Sequence, residues 1–291
     1  MSEHRRMSEW WSGPQGFLWL ALATGAGASV AFGSLGTIIV AKRLAYLAGA
    51  VAHASIGGIG LCLYLAQARG WSWVDPLWGG ALLAALGGIG MELVRRWAPD
   101  REDTLLSALW AVGMSVGLIC LSLTPGYANP TDYLFGNLLL VSPADLGRVL
   151  VLDLIVLGVL VAWFPVWQAA SFDEEFARLR GLRVEFFSML FIVLVSLTVV
   201  LLLAVVGLIL VVALMTLPAA AAGRFTRSLG AMMAGAIAFC LVAVLGGIGL
   251  SYMGDWPTGP SIVLLAAALY LAASALGSRH RATKKPPVAG G

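Results

Sequence analysis

Residues Ala45–Gly60 read AYLAGAVAHASIGGIG, an apolar, small-residue stretch with one histidine, His53, near its middle. Apolar residues continue to Ala66 with no charge between. A helix of about 20 such residues crosses a hydrocarbon core. The fold class follows: an all-α, polytopic membrane protein. An ionisable side chain is costly in hydrocarbon, so an intramembrane histidine marks a functional position, the alternative being a ring that hydrogen-bonds a neighbouring helix.

The rest of the chain agrees with that reading. Of 291 residues, 60% are hydrophobic and 11% charged, against about 25% charged in soluble domains. Apolar runs of spanning length fall at Phe17–Val40, Tyr46–Ala66, Pro76–Val94, Thr104–Thr124, Leu146–Trp167, Glu185–Ala204, Gly207–Ala222, Leu229–Leu250 and Ser261–Leu276, giving about nine transmembrane helices. The sixth and seventh are divided by a break near Val205–Gly207. GGIG recurs at 57–60, 87–90 and 246–249; small residues let helix backbones approach closely in membranes, which explains the recurrence better than internal duplication. The expected organisation is a polar segment 1–16 that is not a cleavable signal, a transmembrane domain 17–277, and a basic tail 278–291 read as mobile.

Charge sets the orientation. With the polar insertion Ala169–Val184 facing the cytoplasm, all of the 18 Lys and Arg except Arg5, Arg6, Arg69 and Arg148 lie on that side. This positive-inside bias puts the amino terminus outside and the carboxyl terminus inside. Basic residues at the ends of spans bind no nucleic acid. Trp71, Trp73, Trp97, Trp167 and Trp256 lie near run ends, where an interfacial aromatic belt belongs. Cys62, Cys120 and Cys240 stand singly in apolar runs and read as core residues, not as metal ligands or disulfides.

The insertion contains SFDEEFARLRG, residues 171–181. Ser171 and Glu174 have capping-box spacing, acids crowd the first turn and arginines the last, and Gly181 sits where a left-handed stop belongs. Phe172, Phe176 and Leu179 share one face. So short a helix needs something to pack against. It either inserts its phenylalanines into a groove on a soluble partner or lies on its own membrane domain.

With these residues in view the chain resembles the ABC-3 metal permeases, the membrane subunits of bacterial zinc, manganese and iron ABC importers. His53 with Ala54 and Ser55 matches the family's H-A-S/A motif on its second helix, and Asp103–Leu106 the D-x-L-L at the start of its fourth. Tyr133–Ser142, YLFGNLLLVS, is similar to its Y-L-F-G-x-L-L-x-V-S segment, and Phe172–Leu182 to its cytoplasmic coupling segment. Pro218–Ala222 before Arg224 resembles its P-A-A-x-A run, and Asp255–Leu264, DWPTGPSIVL, its last outer loop. Six motifs in order across about residues 17–277 carry the likeness.

The resemblance implies the fold of a type II ABC importer permease, a homodimer in the bacterial or archaeal cell membrane that carries a divalent transition metal, zinc first, then manganese or iron. An external binding protein would deliver metal near Asp132, Tyr133 and Asp255. Cytoplasmic ATPase subunits would dock on Ser171, Phe172, Glu174, Phe176, Leu179 and Gly181. No cofactor is implied beyond the transported metal and ATP on the partner subunits. The chain itself is not expected to be an enzyme: Lys occurs only at 42, 284 and 285, never in a G-x-x-x-x-G-K phosphate loop.

One departure bears on the site. Members typically carry an acid four residues before the histidine, and here that position is Gly49. Gly49, His53 and Gly57 form one stripe, expected to open space beside the ring. Neutral imidazole suits zinc, iron and manganese. Asp153, inside VLVLDLIVL, is the candidate compensating carboxylate, the alternative being a capped or water-facing acid. Three other readings stay open: a permease for metal chelates of the siderophore or cobalamin class, which Gly49 encourages; a stand-alone secondary transporter or channel; and a membrane scaffold.

Overall fold

The break expected near Val205–Gly207 is a single residue, Gly207, with φ of 84°. Gly136, at φ 61°, packs backbone to backbone against it. A side chain at either would be strained in the left-handed region and would strike the other's backbone. Two glycines thus turn the chain where two apolar helices part.

The computed structural model describes residues 16–71, 73–97, 100, 102–125, 134–136 and 138–282. The expectations for Asp132 and Tyr133, for the segment through residue 15 and for the tail beyond 282 lie outside the described residues. Helices run in the order α1 (Gly16–Ala41), α2 (Ala45–Ala68), α3 (Pro76–Trp97), α4 (Glu102–Leu123), a 3₁₀ turn (Leu138–Leu140), α5 (Pro143–Ala162), α6 (Phe164–Phe172), α7 (Glu174–Leu179), α8 (Val184–Val206), α9 (Leu208–Ala222), α10 (Leu229–Gly254) and α11 (Thr258–Ala282). No strand occurs among the described residues. Helix α11 extends through 282, into the segment from 278 that was expected to be mobile.

Every expected apolar run finds a helix. Seven are long and apolar enough to cross a membrane by length and composition, and α5 with α6 makes an eighth if the bent pair is one span. The shorter α9, with 15 residues, accounts for the ninth run. The run Leu146–Trp167 is therefore not one straight helix: it bends by 73° between Ala162 and Phe164. Pro165, in the first turn of α6, has no N–H to continue the ladder. The Trp167 indole N–H donates to the Val159 carbonyl at 3.3 Å and holds the bend.

Helices α1 and α2 carry the buried centre, α1 against α5, α9 and α10, and α2 against α3 and α4. The small-residue faces make these contacts possible. A Cβ on Gly57 would stand 2.7 Å from the Gly113 carbonyl oxygen of α4. The open stripe expected at Gly49, His53 and Gly57 is therefore only half open: nothing lies within 4 Å of a Cβ at Gly49, while α4 closes Gly57.

The capping expectation shifts by two residues. Ser171 is inside α6, and Asp173 caps α7 by accepting the Phe176 N–H at 2.9 Å. Ser171 Oγ is buried without a hydrogen-bond partner. The chain bends at Asp173, whose extended backbone ends one helix and starts the next, so Ser171 cannot occupy the cap. A capping box that the sequence reading passed over forms instead at Ser142 and Asp145, opening α5.

Candidate functional site

His53 is half-buried on α2. Its Nδ1 lies 2.7 Å from the Gly49 carbonyl oxygen. A carbonyl oxygen only accepts, so Nδ1 carries the hydrogen, and the neutral ring keeps its lone pair on Nε2. The Trp110 ring lies 4.7 Å away between centroids, tilted by 49°. Two contacts, one from its own helix and one from α4, fix the ring's orientation.

The ring borders a cavity of about 540 Å³ walled by Tyr46, Gly49 and Trp110 on one side and by α9, from Leu208 to Leu217, on the other. The wall is apolar apart from His53, Tyr46, the Trp110 N–H and Thr216. Thr216 directs its hydroxyl to the Val212 carbonyl at 2.9 Å. Among the described residues, no carboxylate borders the cavity and no group of three His, Cys, Asp or Glu able to hold a metal exists. Among the described residues, His53 is the one imidazole bordering the cavity, beside the Tyr46 and Thr216 hydroxyls.

Asp153 is elsewhere. It is 8% exposed on α5 and faces α1, where a Cβ on Gly27 would lie 3.3 Å from Oδ2. Its Oδ1 is buried without a hydrogen-bond partner. The structure does not bring Asp153 into the His53 cavity.

At the Gly207 end, Asp255 ends α10 in a left-handed conformation, φ 51°. It shares a depression of about 340 Å³ with Phe135, Gly136 and Trp256–Pro260. Ser251 Oγ ties this loop by donating to the Trp256 carbonyl at 2.6 Å. The loop after α10 and Phe135–Gly136 therefore meet in space.

The segment around α7 turns one charge, Glu174, inward, while Asp173, Glu175, Arg178 and Arg180 are exposed. Lys42, in the turn joining α1 to α2, places Nζ 2.8 Å from Glu174, and Arg95 of α3 comes within 3.8 Å of the same carboxylate. Partial burial alone would push the Glu174 carboxyl up, yet the Lys42 hydrogen bond and the Lys42 and Arg95 charges hold it below the ordinary carboxylate range. Arg178 pairs with Glu185 at 3.4 Å, and Gly181, at φ 78°, stops the helix as expected. Ala177 is the buried contact, against Ala170 and Val184. Phe172, Phe176 and Leu179 point outward, 69%, 51% and 82% exposed. The apolar face does not lie on the membrane domain.

Trp110 and Lys42 were not singled out as site residues from sequence. A tryptophan far from a run end was the available signal for the first; for the second, a lysine standing alone outside the tail.

The ABC 3 transport family model matches residues 15–277. The chain belongs to the ABC 3 transport family. This permease is 34% identical over 263 residues to a protein of Chlamydia pneumoniae named "Probable metal transport system membrane protein", covering 90% of its own length and 89% of the relative's. It is 28% identical to the high-affinity zinc uptake system membrane protein ZnuB of Haemophilus influenzae, over 87% of its length and 95% of that protein. Identity is 26% to the manganese transport system membrane protein MntC of Listeria innocua, covering 89% and 90%. Its fold superposes on the structure of PsaBC from Streptococcus pneumoniae in complex with Fab, with a TM-score of 0.80 and 26% identity over 93% of this chain and 94% of that one.

Proposed function

We propose that the permease is the membrane subunit of an ATP-driven importer for a divalent transition metal, zinc first, manganese or iron next. The observation that carries this reading is His53: its Nδ1 is occupied by the Gly49 carbonyl, its ring faces a cavity, and its chain belongs to a transport family. An imidazole held by one nitrogen offers the other as a ligand. A cation passing there takes its remaining ligands from water or from a second copy of the chain, in a homodimer. Holding the ion by one protein ligand favours release over tight capture.

In the cycle we envisage, an external binding protein delivers metal near Asp255 and the loop before Phe135, metal passes His53, and ATPase subunits on the cytoplasmic side drive alternating access. Phe176 and Leu179 of α7, with Phe172 at the end of α6, form the docking surface, since exposed apolar side chains beside a helix tied down by partly exposed ion pairs fit helix-in-groove recognition. Glu174 is the anchor rather than the docking residue: through Lys42 it links α7 to the start of α2, and so to His53. The permease would lie in a bacterial or archaeal cell membrane, amino terminus outside and carboxyl terminus in the cytoplasm.

A second reading, a permease for a metal chelate, is favoured by the open space at Gly49 and by a cavity wall that holds no carboxylate among the described residues. Uptake by the complex reconstituted with its ATPase and binding protein, with free zinc, manganese and iron in competition against a chelate, separates the two. ATP-dependent uptake of a free ion that His53→Ala abolishes is the expected result. Uptake that persists without ATP and partner subunits would establish a stand-alone transporter instead.

A further inference from the structure

A cleft of about 660 Å³ lies apart from His53, between the first turns of α3 and α5 and the second half of α8. Its floor is Leu152, Leu197, Val200 and Leu201. Trp78, Val151 and Ile155 on its walls are exposed, which on a membrane-spanning surface means that the cleft opens sideways into lipid. From Arg148 at one end to Ile155 at the other is seven residues of α5, about 10 Å at 1.5 Å per residue. That is shorter than one leaflet of a hydrocarbon core about 30 Å thick. The cleft has the length and character for the upper part of an acyl chain.

The rim gives the headgroup. Asp75 and Arg148 both border the cleft. Asp75 is held by its Oδ1, which accepts the Leu77 N–H at 2.7 Å, and Arg148 is held by Asp145, 2.9 Å from its Nη1. Trp71 and Trp73 stack at 5.8 Å immediately before Asp75, an aromatic pair of the kind that sits at headgroup depth. Asp75 on the rim and Asp145 beside it outnumber the one guanidinium, an excess of negative charge that repels an anionic headgroup. A headgroup carrying both signs can set its phosphate at Arg148 and its cation at Asp75. An ammonium also brings N–H donors for the carboxylate, which a quaternary amine lacks.

We propose that this cleft is a binding site for one phospholipid with a primary-ammonium headgroup, such as phosphatidylethanolamine. The site is independent of the cargo and needs only the membrane fold.

The test uses the full-length permease, delipidated in mild detergent and offered phosphatidylethanolamine, phosphatidylcholine or phosphatidylglycerol with identical acyl chains. Retained lipid is counted by native mass spectrometry. Phosphatidylethanolamine should be retained best, over phosphatidylcholine by about tenfold, the size of one charge-assisted hydrogen bond. Asp75→Asn keeps the helix cap and should erase that preference. Val151→Trp, which fills the cleft from an exposed position, should lower retention of all three while the melting temperature in detergent shows the fold intact. Equal retention of the three lipids, strongest retention of phosphatidylglycerol, or a folded Val151→Trp variant that retains phosphatidylethanolamine like the parent would each overturn the proposal.

Discussion

His53 and Asp153 are both ionisable, both inside apolar helices, and lie in opposite surroundings. His53 has one ring nitrogen bonded to its own helix and borders a cavity. Asp153 is packed against α1 with an oxygen that finds no partner. Scarcity of charge in the membrane flags both residues equally. Access separates them: a residue that handles cargo must be reachable by it, and Asp153 is 8% exposed and packed against α1 at Gly27. Burial alone identifies a costly group, whereas burial beside a cavity identifies a useful one.

The largest effect expected is at His53. His53→Ala should lower metal uptake by roughly a hundredfold, about 2.8 kcal/mol at 1.4 kcal/mol per tenfold, with assembly of the complex unchanged on size-exclusion chromatography. Uptake within a few-fold of the parent would remove the histidine from the path and collapse its contrast with Asp153. Gly49→Asp sharpens the contrast from the other direction. It places a carboxylate one turn from His53 on the same face, where a Cβ meets nothing within 4 Å. Equilibrium dialysis with zinc should show binding tightened by about tenfold, and slower release should reduce turnover. Unchanged affinity would mean that the ion does not visit this face of α2.

An intermediate effect is expected where α2 meets α7. Lys42→Met should lower cargo-stimulated ATP hydrolysis by roughly fivefold, the upper range for one partly exposed ion pair. The double variant Lys42→Met with Glu174→Gln should cost no more than either single change, and full additivity would show that the two act separately. The sign with pH follows from the lowered Glu174 carboxyl. The link is present above the unfolded carboxylate value of about 4.3 and is lost as pH falls through the lower folded value, so coupling holds at neutral pH and fails only in acid. Glu174→Gln should remove that acid limb.

Much of this architecture was legible in the residues. Spans announce themselves by length and apolarity, and the Gly207 break by a glycine between two apolar runs, because both signals are local. The bend at Trp163 was not foreseen: Pro165 lies inside one expected apolar run, Leu146–Trp167, and hydropathy does not register a missing N–H. Nor was the closing of Gly57, which depends on how α4 lies across α2. The same limit explains α7. Its stop at Gly181 is local and was read correctly, but which face turns inward is decided by Lys42 and Arg95, far away in sequence. His53 stands out in the sequence by its rarity, whereas tryptophan is common in a membrane chain and Trp110 becomes notable only once its ring is seen against the imidazole.

The smallest effect is the most discriminating. Asp153→Asn exchanges a buried carboxylate with an unpartnered oxygen for a neutral group of the same shape. A buried polar group without a partner costs free energy, and an ionised one costs more. The amide should therefore leave stability unchanged or raise it, by a few degrees in melting temperature per ~1 kcal/mol. Uptake should stay within about twofold of the parent, near the additive expectation for a residue distant from the cavity. A fall in uptake comparable to that of His53→Ala, at unchanged melting temperature, would put Asp153 on the path and require α1 and α5 to part during transport. A fall in both would instead show that the acid form pins α5 to α1, a structural role with no claim on the metal.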